Sequence, residues 1–163
     1  MDLVLRPAHA GDHPAILALN LASEEMLSPL DAPRLVQLDG QSAYHRVLCE
    51  GDRVVAFLLA FREGAQYDSP NYMWFAGRYT RFLYIDRVVV AESHQGRGLG
   101  ARLYRDLFDF ARGGGVEAVT CEFYTRPPNE ASRRFHAGFG FREVGQQWVA
   151  DGRKQVSLQV ATP

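Results

Sequence analysis

The residues whose types and spacing suit chemistry fall mostly between 84 and 136. Within RVVVAESHQGRGLGARLY, residues 87 to 104, glycines recur at every second position in the run Gln95-Gly96-Arg97-Gly98-Leu99-Gly100. A valine-rich stretch precedes this run and an apolar-periodic one follows it, so the glycines stand where a helix begins. The first N–H groups of a helix have no partner inside it and attract anions. Glycines let a ligand come close to the backbone, and Arg97 adds a positive charge. A diphosphate fits such a turn. Two nucleotide loops are excluded by spacing. The dinucleotide fingerprint is G-x-G-x-x-G after the first strand, whereas this run is G-x-G-x-G after a mid-chain one. The Walker pattern G-x-x-x-x-G-K-[ST] is absent.

Proton-moving side chains lie around this turn in sequence. FLYIDRVVV reads as a strand, and the period of two puts Tyr84, Asp86, Val88 and Val90 on one face. A carboxylate among apolar neighbours must be paired or raised in pKa. Asp86 therefore suits a base, a binder of a cationic amine, or a structural partner for Arg81 or Arg126. Glu122 is the second carboxylate candidate, with Tyr124 two residues on and His136 in the next helical segment. No local Ser-His-Asp or Cys-His pattern exists. Cys49 and Cys121 are isolated, forming neither a disulfide framework nor a metal motif, and no metal is expected. His9 and His13 read as surface or capping residues.

The elements that must position these groups follow from pattern. LVLR (3–6) is an opening strand. Residues 10–26 read as a helix with Asp12 as N-cap and Pro14 in its first turn. Residues 30–40 form a second helix capped by Asp31. Residues 43–50 and 53–62 flank a Gly-Asp turn and form a hairpin. Residues 63–80 show no clean period, but Tyr67, Tyr72, Trp74, Phe75 and Tyr79 crowd them. They read either as a long loop folded onto the core or as an acceptor pocket wall or lid containing Tyr72 and Trp74. Strand 81–90, a helix from Gly98 with the stripe Leu99, Leu103, Leu107 and Phe110, strand 116–124, a helix over 129–137 and two terminal strands complete the chain.

Bulk properties bound the rest. The 163 residues suit one domain, 1–163, and 47% apolar content suits a folded core. A formal net charge of -1 gives no reason to expect nucleic-acid binding. The N-terminus carries polar residues too early for a signal peptide, and apolar runs are too short to span a bilayer. A cytoplasmic protein without a membrane partner is expected.

The stretch VVVAESHQGRGLG closely resembles the acyl-CoA-binding motif of the GNAT superfamily of acetyltransferases. That motif runs Gln or Arg, two variable residues, Gly, one variable residue, then Gly or Ala. A second family block is matched by Asn129, Ser132, Phe135, His136 and Gly140-Phe141. The resemblance implies an α/β (α+β) fold, the GNAT acyl-CoA N-acyltransferase fold. It has a mixed, mostly antiparallel central sheet of about seven strands flanked by about four helices. It implies acetyl-CoA as donor, with the backbone of Gln95, Gly96, Arg97, Gly98, Leu99 and Gly100 on the pyrophosphate. Strand residues Val88, Val89 and Val90 would hold the pantetheine arm, and Asn129 and Ser132 would contact it or cap the helix. It implies direct attack by the primary amine of a small-molecule or peptide acceptor. Many members place a tyrosine acid where this chain has His136, and Tyr124 is a substitute acid. Asp86, Tyr84 or Glu122 would act as base or hold a relaying water. Glu24 and Glu25 would bind the acceptor amine, or form a solvated helix face. A non-catalytic acyl-CoA sensor on the same scaffold is the alternative, and the chain is a monomer or a homodimer.

Overall fold

A computed structural model describes residues 2–24 and 27–163. Seven strands follow the order β1-β2-β3-β4-β5-β7-β6 in one sheet. They are β1 (Leu3–Pro7), β2 (Tyr44–Glu50), β3 (Arg53–Arg62), β4 (Phe82–Val90), β5 (Ala118–Arg126), β6 (Arg142–Val149) and β7 (Lys154–Ala161). Pairing is antiparallel for β1 with β2, β2 with β3, β5 with β7 and β6 with β7, and parallel for β4 with β5. Five helices accompany them: α1 (His13–Ala22), α2 (Ala32–Gln41), α3 (Pro70–Ala76), α4 (Leu99–Gly113) and α5 (Glu130–Gly138). The mixed, mostly antiparallel sheet agrees with the expected fold, with one helix more than expected.

The chain divides into two compact units, residues 1–61 with 85–109 and residues 62–84 with 110–163. In the first unit, the hairpin of β2 and β3 supplies an apolar platform. Residues 54 to 61 are all buried, which is why that run lacks the alternation of a half-exposed strand. Ile16 and Leu35 from α1 and α2 meet Val47, Cys49, Phe57 and Val89 in one cluster. The Asp31 side chain accepts from Arg34 N at 2.9 Å and starts α2 as expected. Asp12 stands at the N-cap position of α1 as expected, but its side chain makes no cap bond there. It sits in a 3-10 turn before α1, binds Arg6 through both oxygens at 2.7 and 2.8 Å, and accepts from His9 N. The Arg6 guanidinium holds the Asp12 carboxyl down at about 2, against some opposing desolvation.

In the second unit, β5 pairs with β7 and β7 with β6, both with a register shift. The segment 63–80 is not a long loop. Ser69 caps α3 by accepting from Tyr72 N, and Pro70 opens the helix. The Tyr72 hydroxyl donates to Arg62 O at 2.7 Å and accepts from Ala65 N at 3.1 Å, which fastens the connection preceding α3. Trp74 lies so close to Gly145 that a Cβ there would stand 2.6 Å from Cζ2, so β6 needs glycine at this point.

Candidate active site

The turn between β4 and α4 is built from a 3-10 turn, Glu92–His94, followed by Gln95 to Gly98. Gly96 and Gly98 both have φ of +77°, a region that side-chain-bearing residues rarely adopt. A Cβ at either would meet nothing within 4 Å, so the space above both glycines is open. Arg102 N donates to Gly98 O at 3.0 Å, which makes Gly98 the residue that starts α4. The N–H groups of Leu99, Gly100 and Ala101 then have no acceptor one turn earlier. Residues 95 to 98 are exposed, while Leu99 is buried and anchors the helix start. Open glycines, a free helix N-terminus of a 15-residue helix and exposed Arg97 fit a diphosphate. A cavity of about 690 Å³ adjoins the turn, lined by Val90, Ala91, Ser93 and Gln95 on one side and Leu19 and Ala22 of α1 on another.

Val88 and Val90 are half-buried on β4, and Val89 is buried in the cluster below α1 and α2. Asp86 makes an ion pair with its strand neighbour Arg87. Its Oδ2 receives Arg87 Nε at 2.6 Å, and both side chains are almost dry, at 5% and 4% exposure. Arg87 also donates to Asn20 Oδ1 at 3.0 Å and Ser28 O at 3.2 Å. Arg81 instead binds Glu117 at 2.6 Å. The strand thus carries a buried ion pair that also fastens α1 and the turn after it. Glu24 is exposed in that turn, and Glu25 lies outside the described residues.

In the second unit, Tyr84 and Glu122 come together. Tyr84 OH donates to Glu122 Oε1 at 2.9 Å. The Tyr84 ring is buried against Tyr72, 5.7 Å away edge-on, and Phe75 at 5.9 Å. Trp74 is half-buried, with the Arg78 guanidinium 3.9 Å above its ring. Tyr124 is half-buried, with Lys154 Nζ 4.9 Å from its ring centroid.

Asn129 caps α5, accepting from Ser132 N at 3.2 Å. His136 follows one turn after Ser132. Its Nδ1 lies 2.7 Å from Ser132 O and 3.2 Å from Ser132 Oγ. The carbonyl only accepts, so Nδ1 carries the proton. Phe123, Phe135 and Phe141 surround the ring at 5.2 to 5.5 Å. Burial pushes its pKa below the ordinary value, with the Ser132 bond opposing. The imidazole is therefore neutral at pH 7, its Nδ1 proton held by the backbone.

Sequence reasoning missed a polar group under α1 and α2. His45 Nδ1 lies 2.6 Å from Asp39 Oδ1, and His13 Nε2 3.9 Å from Asp39 Oδ2. His13, read as a surface or capping residue, is largely covered. Among the described residues no His, Cys, Asp and Glu group is arranged to hold a metal ion.

The sequence model of the Acetyltransferase (GNAT) family matches residues 15–141. The chain belongs to this family. It is 40% identical over 70 residues to the N-alpha-acetyltransferase RimI of Mycobacterium tuberculosis, covering 42% of this chain and 41% of that protein. It is 45% identical over 64 residues to a phosphinothricin N-acetyltransferase of Streptomyces coelicolor, covering 36% and 33%. The matched stretches thus span less than half of those two relatives. Among solved structures, yncA, a putative acetyltransferase from Salmonella typhimurium with its cofactor acetyl-CoA, superposes with a TM-score of 0.75 at 22% identity. That match covers 99% of this chain and 94% of that one. The Escherichia coli ribosomal-protein-S18-alanine N-acetyltransferase gives 0.73 at 17% identity, covering 99% and 94%. No helix among the described residues is long and apolar enough to cross a membrane.

Proposed function

We propose that this chain transfers the acetyl group of acetyl-CoA to a primary amine by direct attack in a ternary complex. The observation that carries the reading is the turn Gln95–Gly100, open above Gly96 and Gly98 and continuous with the start of α4. The donor supplies an activated acetyl thioester. The backbone of Gln95 to Gly100 binds its diphosphate, and Arg97 adds charge there. The backbone of Val88 to Val90 binds its extended arm, and Asn129 and Ser132 hold the start of α5.

The nitrogen–carbon bond forms as the carbon–sulfur bond breaks, so one proton must leave the amine and one must reach the sulfur. Glu122 is the better base. Its Oε1 accepts from a neutral phenol, Tyr84, whereas Asp86 neutralises a buried guanidinium. Tyr124 is the better acid than His136, because the His136 ring is neutral and its Nδ1 proton is bonded to Ser132 O. Exposed Glu24 and half-buried Trp74 of α3 are candidates for acceptor contact, whereas Tyr72 is buried. Two buried free cysteines suit a reducing cytoplasm.

Calorimetry with acetyl-CoA and a transfer assay over small amines and peptide N-termini test this reading. Micromolar binding and acetylation of at least one amine are expected. No binding up to millimolar acetyl-CoA overturns it, and binding without transfer to any amine favours a sensor.

A further inference from the structure

His94 precedes the glycine turn directly and takes no part in the proton transfers above. It is nevertheless 95% covered, while its neighbours Ser93 and Gln95 are exposed. Burying an imidazole is costly unless its nitrogens are bonded. Both are: Nδ1 lies 2.7 Å from Ser93 Oγ, and Nε2 lies 3.3 Å from Glu50 Oε2. One neutral tautomer satisfies both contacts, with Nε2–H donating to Glu50 and the Ser93 hydroxyl donating to Nδ1. Glu50 ends β2, so this bond joins the turn to the β2–β3 hairpin, 44 residues away in sequence. The same corner is reinforced by Arg53 Nη2, 3.5 Å from Ser93 Oγ, and by Ala91 N, which donates to Val55 O at 2.8 Å.

We propose that His94 is a positioning residue for the donor. It ties the 3-10 turn Glu92–His94 to the hairpin and thereby sets the conformation in which Gln95–Gly100 receives a diphosphate. A turn with glycines at 96, 98 and 100 is entropically costly to order. An anchor on the residue just before it removes part of that cost before the ligand arrives, so affinity depends on the anchor while the chemical step does not. The proposal rests on the acyl-CoA reading of the turn.

His94→Phe keeps a ring of similar size and removes both hydrogen bonds. Glu50→Ala removes the acceptor from the far side. His94→Gln returns a donor toward Glu50. Acetyl-CoA affinity is measured by calorimetry, and kcat and both KM values by steady-state kinetics. H94F is expected to raise Kd and KM for acetyl-CoA about tenfold, leaving kcat and the acceptor KM within about twofold. E50A should match it, the double variant should be no weaker than H94F, and H94Q should recover most of the loss. Unchanged acetyl-CoA affinity in folded H94F, or fully additive losses in the double variant, overturns the proposal. If H94F does not fold, E50A decides by the same affinity criterion, since Glu50 is only half-buried. Failure of the unaltered chain to bind acetyl-CoA overturns the donor reading itself, and this proposal with it.

Discussion

Gly98→Ala separates backbone strain from ligand contact. Gly98 has φ of +77° and open space where a Cβ would go, so alanine clashes with nothing. Its cost is the left-handed backbone, about 1–2 kcal/mol. Gly64 is a matched control, with φ of +83° and equally open space, in the connection after β3 rather than in the donor turn. Each alanine should lower Tm by roughly 2–8 °C in a chain of this size. The two variants should differ only in binding. In Gly98→Ala the methyl group occupies the space through which a phosphate approaches, and relief of strain turns N–H groups away. Losing one hydrogen bond to a charged oxygen costs about 1.5–3 kcal/mol, or about ten- to hundredfold in Kd. Gly98→Asn should lose less stability, because Asn tolerates this region, yet lose as much affinity. Thermal melts paired with calorimetric titration of acetyl-CoA read both quantities. A Gly98→Ala variant that binds acetyl-CoA within twofold of Gly64→Ala refutes the phosphate-cradle reasoning, whatever its Tm.

Glu122→Gln should lower kcat by about a hundredfold and leave acetyl-CoA affinity unchanged, and Tyr84→Phe should lower kcat/KM by about tenfold; steady-state kinetics with a responsive amine check both. Burial lowers the pKa of both His45 and His136 in the folded chain, so the unfolded chain takes up protons first as pH falls. Stability is then full above about pH 6.5 and declines below it, by up to about 1.4 kcal/mol per pH unit for each histidine, until the folded-state values are reached. Melting curves between pH 8 and 5 test this, and a Tm that rises on acidification to pH 5.5 contradicts it. Asn20→Ala removes an acceptor from buried Arg87 and should cost about 1–3 kcal/mol, seen as a Tm loss of several degrees; a Tm within one degree of the parent shows that this bond does not stabilise the fold.

What was legible in the sequence was local. The cap and proline of α2, the hairpin of β2 and β3 and the glycine turn each depend on residues within a few positions of one another. The α3 helix was missed because its seven residues are too short to show a period. The signal that could have found it is Ser69-Pro70, a cap followed by a helix-opening proline. Its stability comes instead from tertiary bonds such as that of Tyr72 to Arg62 O. The Tyr84–Glu122 contact was invisible for another reason. The two residues are 38 apart, and parallel register sets Tyr84 opposite Thr120. Glu122, two residues further along β5, is then the diagonal neighbour on the same face, within reach of a phenol.

The choice between the two carboxylates is where magnitudes decide. Period-two reasoning sends adjacent strand residues to opposite faces, so Arg87 was passed over as a partner for Asp86. The length of the arginine arm overrides that alternation, and Nε comes within 2.6 Å of Asp86. For Asp86 to accept a proton in each turnover, it would have to surrender the negative charge facing a guanidinium that is 4% exposed. Stranding a buried charge in this way costs about 3–5 kcal/mol, a penalty of about a hundred- to several-thousandfold in rate if carried into the barrier. That is as large as the whole benefit of general base catalysis. Glu122 faces no such penalty from Tyr84. A neutral phenol can donate to either carboxyl oxygen or accept from a protonated one, so the pair loses at most about 1 kcal/mol on protonation. A base must change charge repeatedly, and of these two contacts the hydrogen bond from Tyr84 to Glu122 is the one that tolerates the change.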